Sequence, residues 1–214
     1  KIQISPIMSS KKSISYKTTN SYHTQGELSE HTDTVWIVFH GMGYLSTYFI
    51  RYFSELPDNH FVICPQAPSK YYQGSQFKHV GASWLTKEDT ETETTNVLTY
   101  IDAVFKEEII QKPKRLIVLG YSQGVSVATR WLSSRQIQCD HLILHSGGIP
   151  KELTRADFSY MDQNTAVTYL YGDKDQYITE ARKTEEELIG NKLFGDRLEI
   201  SVFKGVHEVN TEYI

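Results

Sequence analysis

Hydrophobic runs alternate along this chain with segments whose apolar positions recur at helical spacing. We predict a strand wherever the apolar residues form a continuous run or alternate with polar residues. Because such runs are separated by helical segments, the pattern favours a mostly parallel sheet covered by helices on both faces. The predicted central strands are Thr34 to Phe39, Phe61 to Ile63, Lys114 to Leu119, His141 to Leu144, Ala166 to Tyr171 and Leu198 to Phe203.

Helical periodicity is clearest in the segment from about Thr90 to Ile110, which carries apolar residues on one face: Val97, Ile101, Val104 and Phe105. The acidic stretch at its start resembles a recognition tract. However, Thr90 followed by Glu93 is a capping-box pattern, so we interpret this stretch as a solvated helix start. Shorter helices are predicted at Thr47 to Glu55 and at Val125 to Leu132.

The remaining segments predict an edge hairpin and two site walls. Ile2 to Ile7 and Ser13 to Thr19 are predicted as two edge strands that pair with each other. The long connections Pro65 to Asp89 and Ser146 to Thr165 are expected to form walls or lids, as long loops in compact domains usually do. Neither connection is long enough for a separate cap domain, so we expect an open, shallow cleft.

Length and composition indicate one domain. With 214 residues and 39% hydrophobic content, residues 1–214 can bury a core without disulfides or metal ions. Cys64 and Cys139 lie far apart in the sequence, each beside a predicted strand, and we interpret them as buried thiols rather than a bridge.

Charge and hydropathy exclude several classes of partner. A net charge of −4 and the lack of a basic run predict no nucleic-acid partner and favour a small, neutral or weakly charged substrate. No apolar stretch reaches the ~20 residues of a membrane span, and the first residues lack the apolar core of a signal peptide. We therefore expect a cytoplasmic protein. Since the chain starts at Lys1 rather than Met, a removed leader and a secreted origin stay open.

The most informative segment is Gly120-Tyr121-Ser122-Gln123-Gly124, which lies between a predicted strand and a predicted helix. Glycines on both sides allow a tight strand-to-helix turn that presents the serine hydroxyl above the sheet. The helix also directs its N-terminal amides toward this point, where they favour negative charge. We therefore predict Ser122 as a nucleophile.

A serine nucleophile needs a histidine base, and the base needs a carboxylate that orients it. In hydrolases built on such a sheet the order is serine, acid, histidine, so both partners must follow Ser122. His141 and His145 bracket a strand upstream of any acid loop, which leaves His207 as the base. Two aspartates compete for the acid role after the strand Ala166 to Tyr171. We choose Asp175; Asp173 is the alternative, although its position suits a turn cap.

Acyl transfer also needs hydrogen-bond donors for the developing oxyanion. One donor is the backbone N–H of Gln123, directly after the nucleophile. The second is predicted to be the N–H of Met42, in the glycine-bracketed turn His40-Gly41-Met42-Gly43 that follows the first central strand. We expect His40 to brace this loop through hydrogen bonds, because the base role is already filled.

Together these segments resemble the phospholipase/carboxylesterase family of α/β-hydrolases, which includes acyl-protein thioesterases. The resemblance covers most of the chain. It implies the α/β-hydrolase fold, a triad of Ser122, Asp175 and His207, and an oxyanion hole formed by Met42 and Gln123. The matching segments are His40 to Gly43, Cys64 to Pro68, Ser83-Trp84, Gly120 to Gly124 and the loops around Asp175 and His207.

Three departures from the family pattern stand out. Tyr44 replaces an aspartate that often follows the His-Gly-x-Gly turn, and Leu85-Thr86 follows Ser83-Trp84 where phenylalanine and aspartate are usual. These changes bear on the substrate rather than on the chemistry. The chain also ends soon after His207, so we expect either a compact variant without the usual C-terminal helix or a missing end.

The function predicted from the sequence is a serine esterase or thioesterase acting on a small acyl ester or thioester, with no cofactor and no metal ion. Alternatives on the same scaffold are a lysophospholipase, a peptidase or an acyltransferase; a non-catalytic binding protein that keeps the fold is a further alternative. The oligomeric state is left open. Candidate substrate-binding residues are Tyr44, Tyr71, Tyr72, Phe77 and Trp84, although the aromatics of the long connection could equally pack beneath it.

Overall fold

The computed structural model of the protein describes residues 9–214. Its central sheet has the strand order β1-β3-β2-β6-β7-β8-β9, in which only β1 runs antiparallel to its neighbour. The remaining strands, β4 and β5, form a separate antiparallel hairpin. The strands are β1 (Tyr22–Gln25), β2 (Thr34–Phe39), β3 (His60–Pro65), β4 (Ser69–Gln73), β5 (His79–Ser83), β6 (Arg115–Tyr121), β7 (His141–His145), β8 (Ala166–Gly172) and β9 (Leu198–Phe203).

Helices cover both faces of the sheet, as the sequence predicts. Among residues 9–214, none of the helices is long and apolar enough to cross a bilayer. A 3₁₀ turn at Ile50–Phe53 extends the first helix. The helices are α1 (Ser46–Phe49), α2 (Thr90–Glu108), α3 (Gln123–Arg135) and α4 (Glu180–Phe194).

Alternation along the buried strands divides the core into two layers. In β2, Val35 and Ile37 face one side, where α2, α3 and α4 pack, and Trp36 and Val38 face the other. On that second side the core is completed by the α1 segment and by Val209 from the C-terminal part of the chain. Both cysteines are buried free thiols, as expected.

The long connection after β3 contains the β4–β5 hairpin, which the sequence pattern does not reveal. The hairpin is joined to the turn that follows β2: the Gly43 N–H donates to the Ala82 carbonyl at 2.9 Å, and the Ala82 N–H donates to the Tyr44 carbonyl at 3.1 Å. The connection therefore lies beside the predicted oxyanion loop, where a site wall is expected.

Two local predictions are wrong. Residues 13–19 form no strand and are exposed; the first strand of the described chain is β1, which pairs with β3 instead. The partner predicted for them, Ile2 to Ile7, lies outside the described residues. The capping box is also not formed. Thr90 already lies inside α2, its hydroxyl donates to the Thr86 carbonyl at 2.8 Å, and Asp89 occupies the N-cap position without a side-chain cap.

Candidate active site

Ser122 occupies a sharp turn between β6 and α3. Its φ of +52° and ψ of −116° lie in a backbone region that residues other than glycine rarely adopt. The Ser122 N–H donates to the His145 carbonyl at 2.8 Å, which ties the turn to the neighbouring strand β7. This backbone geometry presents the hydroxyl at the carboxyl edge of the parallel sheet.

Close packing around the turn explains the two flanking glycines. A Cβ on Gly120 would lie 2.4 Å from the Gly124 carbonyl oxygen, and a Cβ on Gly124 would lie 2.0 Å from the Phe39 carbonyl oxygen. Both distances are far below van der Waals contact, so neither position accepts a side chain without movement of the backbone. The close approach brings the start of α3 against the end of β2.

His207 links Ser122 to Asp175 through two hydrogen bonds. Its Nδ1 lies 2.7 Å from Asp175 Oδ2, and its Nε2 lies 3.0 Å from Ser122 Oγ. Because an ionised carboxylate can only accept, Nδ1 carries the hydrogen and donates to Asp175. Nε2 is then free to accept from the Ser122 hydroxyl, which is the arrangement that general-base activation of a serine requires.

The two competing aspartates have different surroundings. The Asp175 side chain is 0% exposed, and its Oδ1 accepts hydrogen bonds from the N–H groups of Tyr177 and Ile178 at 2.8 and 3.2 Å. Asp173 is exposed, and its Oδ1 accepts from the Gly205 N–H at 3.0 Å. The structure thus brings Asp175 to His207 and leaves Asp173 as a brace of the loop that leads to His207.

Tyr177 is a neighbour of the base that the sequence reasoning missed. Its ring lies edge-on to the His207 ring at a centroid distance of 4.7 Å, while 58% of the residue stays exposed. It covers one side of an imidazole whose own side chain is only 13% exposed. Its position two residues after Asp175, in the same loop, is the signal that could have identified it.

The predicted oxyanion loop passes directly beside the nucleophile. A Cβ on Gly41 would lie 3.1 Å from Ser122 Cβ. In the described part of the chain, neither the Met42 N–H nor the Gln123 N–H has a hydrogen-bond partner. The two amides that the sequence nominates as oxyanion donors are therefore both available on elements that meet at Ser122.

His40 braces this loop in one tautomer. Its Nε2 accepts from the Ala67 N–H at 3.1 Å, so its Nδ1 carries the hydrogen and donates to the Gly41 carbonyl at 2.8 Å. Burial lowers the pKa of His40 to about 4, so the ring stays neutral. Because the Gly41 carbonyl and the Met42 N–H belong to one peptide unit, fixing the carbonyl also fixes the direction of the N–H.

The side chain of Gln123 holds the nucleophile turn from a third direction, a contact that the sequence analysis did not anticipate. Its Oε1 accepts from the Trp84 N–H at 2.8 Å, and its Nε2 donates to the Leu85 carbonyl at 2.6 Å. The segment Ser83-Trp84 and the nucleophile turn, found separately in the sequence, are thus joined by one amide side chain.

Trp84 does not line the cleft, and its assignment as a substrate-binding residue is wrong. It is 1% exposed, and its indole N–H donates to the His40 carbonyl at 2.8 Å. Its ring packs at 5.1 Å from the His40 ring and at 5.8 Å from Phe39. This buried side chain packs beneath the predicted oxyanion loop and presents no surface to a substrate.

The other aromatic candidates lie nearer the surface. Tyr72 and Phe77 are 59% and 69% exposed and pack edge-on against each other on the hairpin. Tyr71 is partly exposed, and its hydroxyl lies 3.7 Å from the position of a Cβ on Gly43, close to the oxyanion loop. Tyr44 is half-buried against the ring of Tyr121 at 5.9 Å, and its hydroxyl contacts that of Tyr52.

His145 is a second buried histidine near the site. Its ring is fully enclosed, its Nε2 accepts from the Asn210 N–H at 2.9 Å, and burial lowers its pKa to about 3. The sequence reasoning set it aside as a strand residue.

Among residues 9–214, no group of three or more His, Cys, Asp and Glu side chains is arranged to hold a metal ion.

Comparison with known proteins identifies the family and the fold of the chain. A sequence profile of the Phospholipase/Carboxylesterase family matches residues 23–212. A sequence search of curated proteins gave no significant match.

Among solved structures, Zea mays acyl-protein thioesterase 2 is similar, with a TM-score of 0.67 at 16% identity over 91% of this chain and 94% of its own. Esterase PE8 also gives a TM-score of 0.67, at 21% identity over 91% of this chain and 94% of its own. A phospholipase/carboxylesterase from Dyadobacter fermentans has a TM-score of 0.62, at 16% identity over 89% of this chain and 90% of its own. At these identities the structures establish a shared fold.

The two buried imidazoles predict a loss of stability in mild acid. With folded pKa values of about 4 and about 3 against an ordinary 6.5, His40 and His145 stay neutral where the unfolded chain is protonated. Their contribution to the free energy of unfolding is complete above pH 6.5. It is lost as the pH falls toward 4, at about 1.4 kcal/mol per pH unit for each histidine. Denaturant unfolding across this range measures the slope.

A His145→Gln variant should lower the slope of the unfolding free energy against pH by about 1.4 kcal/mol per pH unit. This is the slope that one proton contributes, and glutamine does not titrate. Identical slopes in the wild type and in His145→Gln would contradict the assignment of a neutral, buried His145.

Proposed function

The chain belongs to the phospholipase/carboxylesterase family, and we propose that it is a serine hydrolase that cleaves carboxylic esters or thioesters through an acyl-enzyme intermediate. The observation that carries this proposal is the continuous hydrogen-bonded series Ser122–His207–Asp175, with contacts of 3.0 and 2.7 Å. Each group also has the environment that its role requires: a strained, accessible nucleophile turn, a base in one tautomer, and a buried acid.

In the first step Ser122 Oγ attacks the acyl carbonyl carbon while its proton passes to His207 Nε2. The imidazolium that forms is stabilised by the Asp175 carboxylate. Two backbone N–H donors to Asp175 Oδ1 hold the carboxylate in its orientation, so that Oδ2 faces the ring. His207 must be neutral for this step, because only a neutral Nε2 can accept the proton.

The carbonyl oxygen gains negative charge as the tetrahedral intermediate forms. The amides of Met42 and Gln123 are the donors proposed for it, and each is worth on the order of 3 kcal/mol of transition-state stabilisation. The N-terminus of α3 adds a favourable dipole at the same point. The His40 contact to Gly41 keeps the Met42 amide aligned, so that little reorganisation is needed during the reaction.

The intermediate collapses when His207 donates its proton to the leaving group. The proton goes to the oxygen of an alkoxide or to the sulfur of a thiolate. Water then enters, His207 accepts one of its protons, and the hydroxide attacks the acyl-serine carbonyl. Departure of Ser122 Oγ with the proton from His207 releases the carboxylic acid and restores the enzyme. Every proton is transferred by one imidazole, so the reaction requires no cofactor.

The substrate is proposed to be a small acyl ester or thioester bound in a cleft bordered by the β4–β5 hairpin. Support comes from the exposed aromatic side chains on that hairpin and from its hydrogen bonds to the oxyanion loop. The family description covers both phospholipases and carboxylesterases, and similar structures include a thioesterase and an esterase. Organisation as one domain over residues 1–214 and a cytoplasmic location stay predictions.

A fluorophosphonate probe followed by a substrate panel tests the proposal. The probe should label Ser122 in the wild type, and peptide mapping should locate the adduct. A panel of acyl esters, thioesters, lysophospholipids and peptide amides of graded chain length then separates the esterase from the other activities that this scaffold could perform. A folded wild-type protein that neither reacts with the probe nor hydrolyses any panel member would contradict the proposal.

Replacing the nucleophile should abolish activity without unfolding the protein. Ser122→Ala is expected to lower kcat by roughly 10⁶, because loss of the nucleophile leaves only binding and the oxyanion donors. Melting temperature and circular dichroism check the fold. Ser126→Ala, on the adjacent helix α3, is the matched control and should retain activity. Retention of more than a few per cent of activity in Ser122→Ala would refute the assignment.

A second pair of variants separates the two aspartates. Asp175→Asn should lower kcat by roughly 10⁴, because an amide next to Nδ1 favours the wrong histidine tautomer. Asp173→Asn should cost far less, since an amide oxygen can still accept from the Gly205 N–H. Steady-state kinetics on one ester is sufficient. The opposite ranking would transfer the acid role to Asp173.

The hairpin aromatics should influence acyl-chain preference. If Tyr71 or Tyr72 contacts the acyl chain, alanine at that position should lower kcat/KM more for longer chains, by about 1 to 3 kcal/mol where a full apolar contact is lost. Trp84→Phe is the contrast: because Trp84 is buried, it should lower the melting temperature with no dependence on chain length. Equal losses across all chain lengths for both tyrosines would show that the hairpin does not bind the acyl group.

A further inference from the structure

His145 contacts both of the elements that carry the reacting groups. It is the last residue of β7, and its side chain is fully buried beneath the site. Its backbone carbonyl accepts from the Ser122 N–H at 2.8 Å. Its ring Nε2 accepts from the N–H of Asn210, three residues beyond His207, at 2.9 Å. One residue thus holds the nucleophile turn with its main chain and the base loop with its side chain.

The hydrogen bond from Asn210 fixes the protonation of the ring. Because a backbone N–H can only donate, Nε2 must be unprotonated, and the hydrogen lies on Nδ1, 3.0 Å from the hydroxyl oxygen of Ser146. Burial, and to a smaller extent His207, lower the pKa of His145 to about 3, although Asp175 and the Leu170 carbonyl oppose the shift. The His145 ring therefore keeps the same hydrogen bonds at neutral pH.

Aromatic packing joins His145 to the base as well. The His145 ring lies at 5.1 Å from the Tyr121 ring and at 5.8 Å from Phe203, at the end of the strand that leads into the base loop. Tyr121 in turn lies at 5.3 Å from the His207 ring. The ionisable groups that face His145 are thus Tyr121 from β6, Asp175 from the acid loop and His207 itself.

We propose that His145 is a positioning residue that sets the distance between Ser122 Oγ and His207 Nε2 by anchoring both loops to the end of β7. This role rests on the proposed hydrolase function. An apolar side chain of similar size would fill the space but could not accept from Asn210, so the loop beyond His207 would lose its fixed point. Small displacements matter, because an error of 1 Å in a reacting group can lower a rate by about 100-fold.

The test compares two substitutions at His145 with one at His141. His145→Leu removes the acceptor, and His145→Gln offers an amide oxygen in its place. His141 lies on the same strand and the same face, but its Nε2 contacts Thr168 Oγ1 at 2.9 Å, away from both loops. His141→Leu is therefore the matched control for loss of an imidazole from this strand.

We expect His145→Leu to lower kcat for ester hydrolysis by about 10- to 100-fold, with KM changed by less than about 2-fold, because the substrate contacts remain. His145→Gln should recover most of kcat, and His141→Leu should leave it unchanged. A merely structural residue would instead lower the melting temperature and leave kcat of the folded fraction intact. Wild-type kcat in folded His145→Leu would overturn the proposal.

A measurement on the wild type is independent of whether the variants fold. Scalar coupling across the hydrogen bond between the Asn210 amide nitrogen and His145 Nε2 should be detectable by nuclear magnetic resonance, and its absence would overturn the anchor. The Asn210 amide should exchange with solvent faster in His145→Leu than in His145→Gln.

The two proposals fail in different ways. An inactive wild type that shows the coupling would refute the hydrolase function, and with it the role of His145 in the reaction. An active wild type with unaffected His145→Leu kinetics would refute only the role of His145.

Discussion

The strained backbone of Ser122 is the constraint on which the site depends. A φ of +52° is unfavourable for serine, so the turn persists only because the elements around it leave no alternative. β6 enters it from the centre of a parallel sheet, α3 leaves it as a long buried helix, and the Gly124 position touches the carbonyl of Phe39 in β2. The same packing that strains the serine directs its hydroxyl out of the sheet. The packing of the core and the presentation of the Ser122 hydroxyl thus have the same cause in this fold.

Three histidines surround this turn, and burial separates their roles. His40 and His145 are enclosed, each accepts from a backbone N–H through Nε2, and each is held neutral with its hydrogen on Nδ1. They behave as rigid polar spacers whose hydrogen bonds do not change with pH in the neutral range. His207 keeps some access to solvent, and a carboxylate lies at Nδ1, so an added proton on its ring has a counter-charge. Of these three histidines, only His207 combines a contact from Nε2 to Ser122 Oγ with a carboxylate at Nδ1.

Features of the fold that depend on residues close together in the chain could be predicted from the sequence. Features that depend on contacts between distant segments could not. The strand, glycine-flanked serine and helix around Ser122 are adjacent in the chain. Chain order then selects His207, whereas the choice of Asp175 over Asp173 rests on its position in the loop. Helix α4 escaped prediction because two of its buried positions are Glu186 and Gly190, which break the apolar period. Glu186 is tolerated there because its carboxylate accepts from the Ile149 N–H at 2.8 Å, a contact between distant segments. Trp84 was misassigned for the same reason: its hydrogen bond to the His40 carbonyl, and hence its burial, depends on a partner 44 residues away.

The β4–β5 hairpin orients the loop that carries Met42, the residue whose amide we propose as an oxyanion donor. In the loop after β2, the Gly43 N–H donates a hydrogen bond to the Ala82 carbonyl of the hairpin. Gln73, also on the hairpin, donates from its side chain to the Gly43 carbonyl at 2.8 Å, which fixes the following peptide as well. His40 fixes the preceding carbonyl at Gly41. With the Gly41 and Gly43 carbonyls both engaged, the orientation of the Met42 peptide is set from both sides, and among residues 9–214 its N–H has no hydrogen-bond partner. The hairpin and the loop after β2 are therefore joined by hydrogen bonds from both elements.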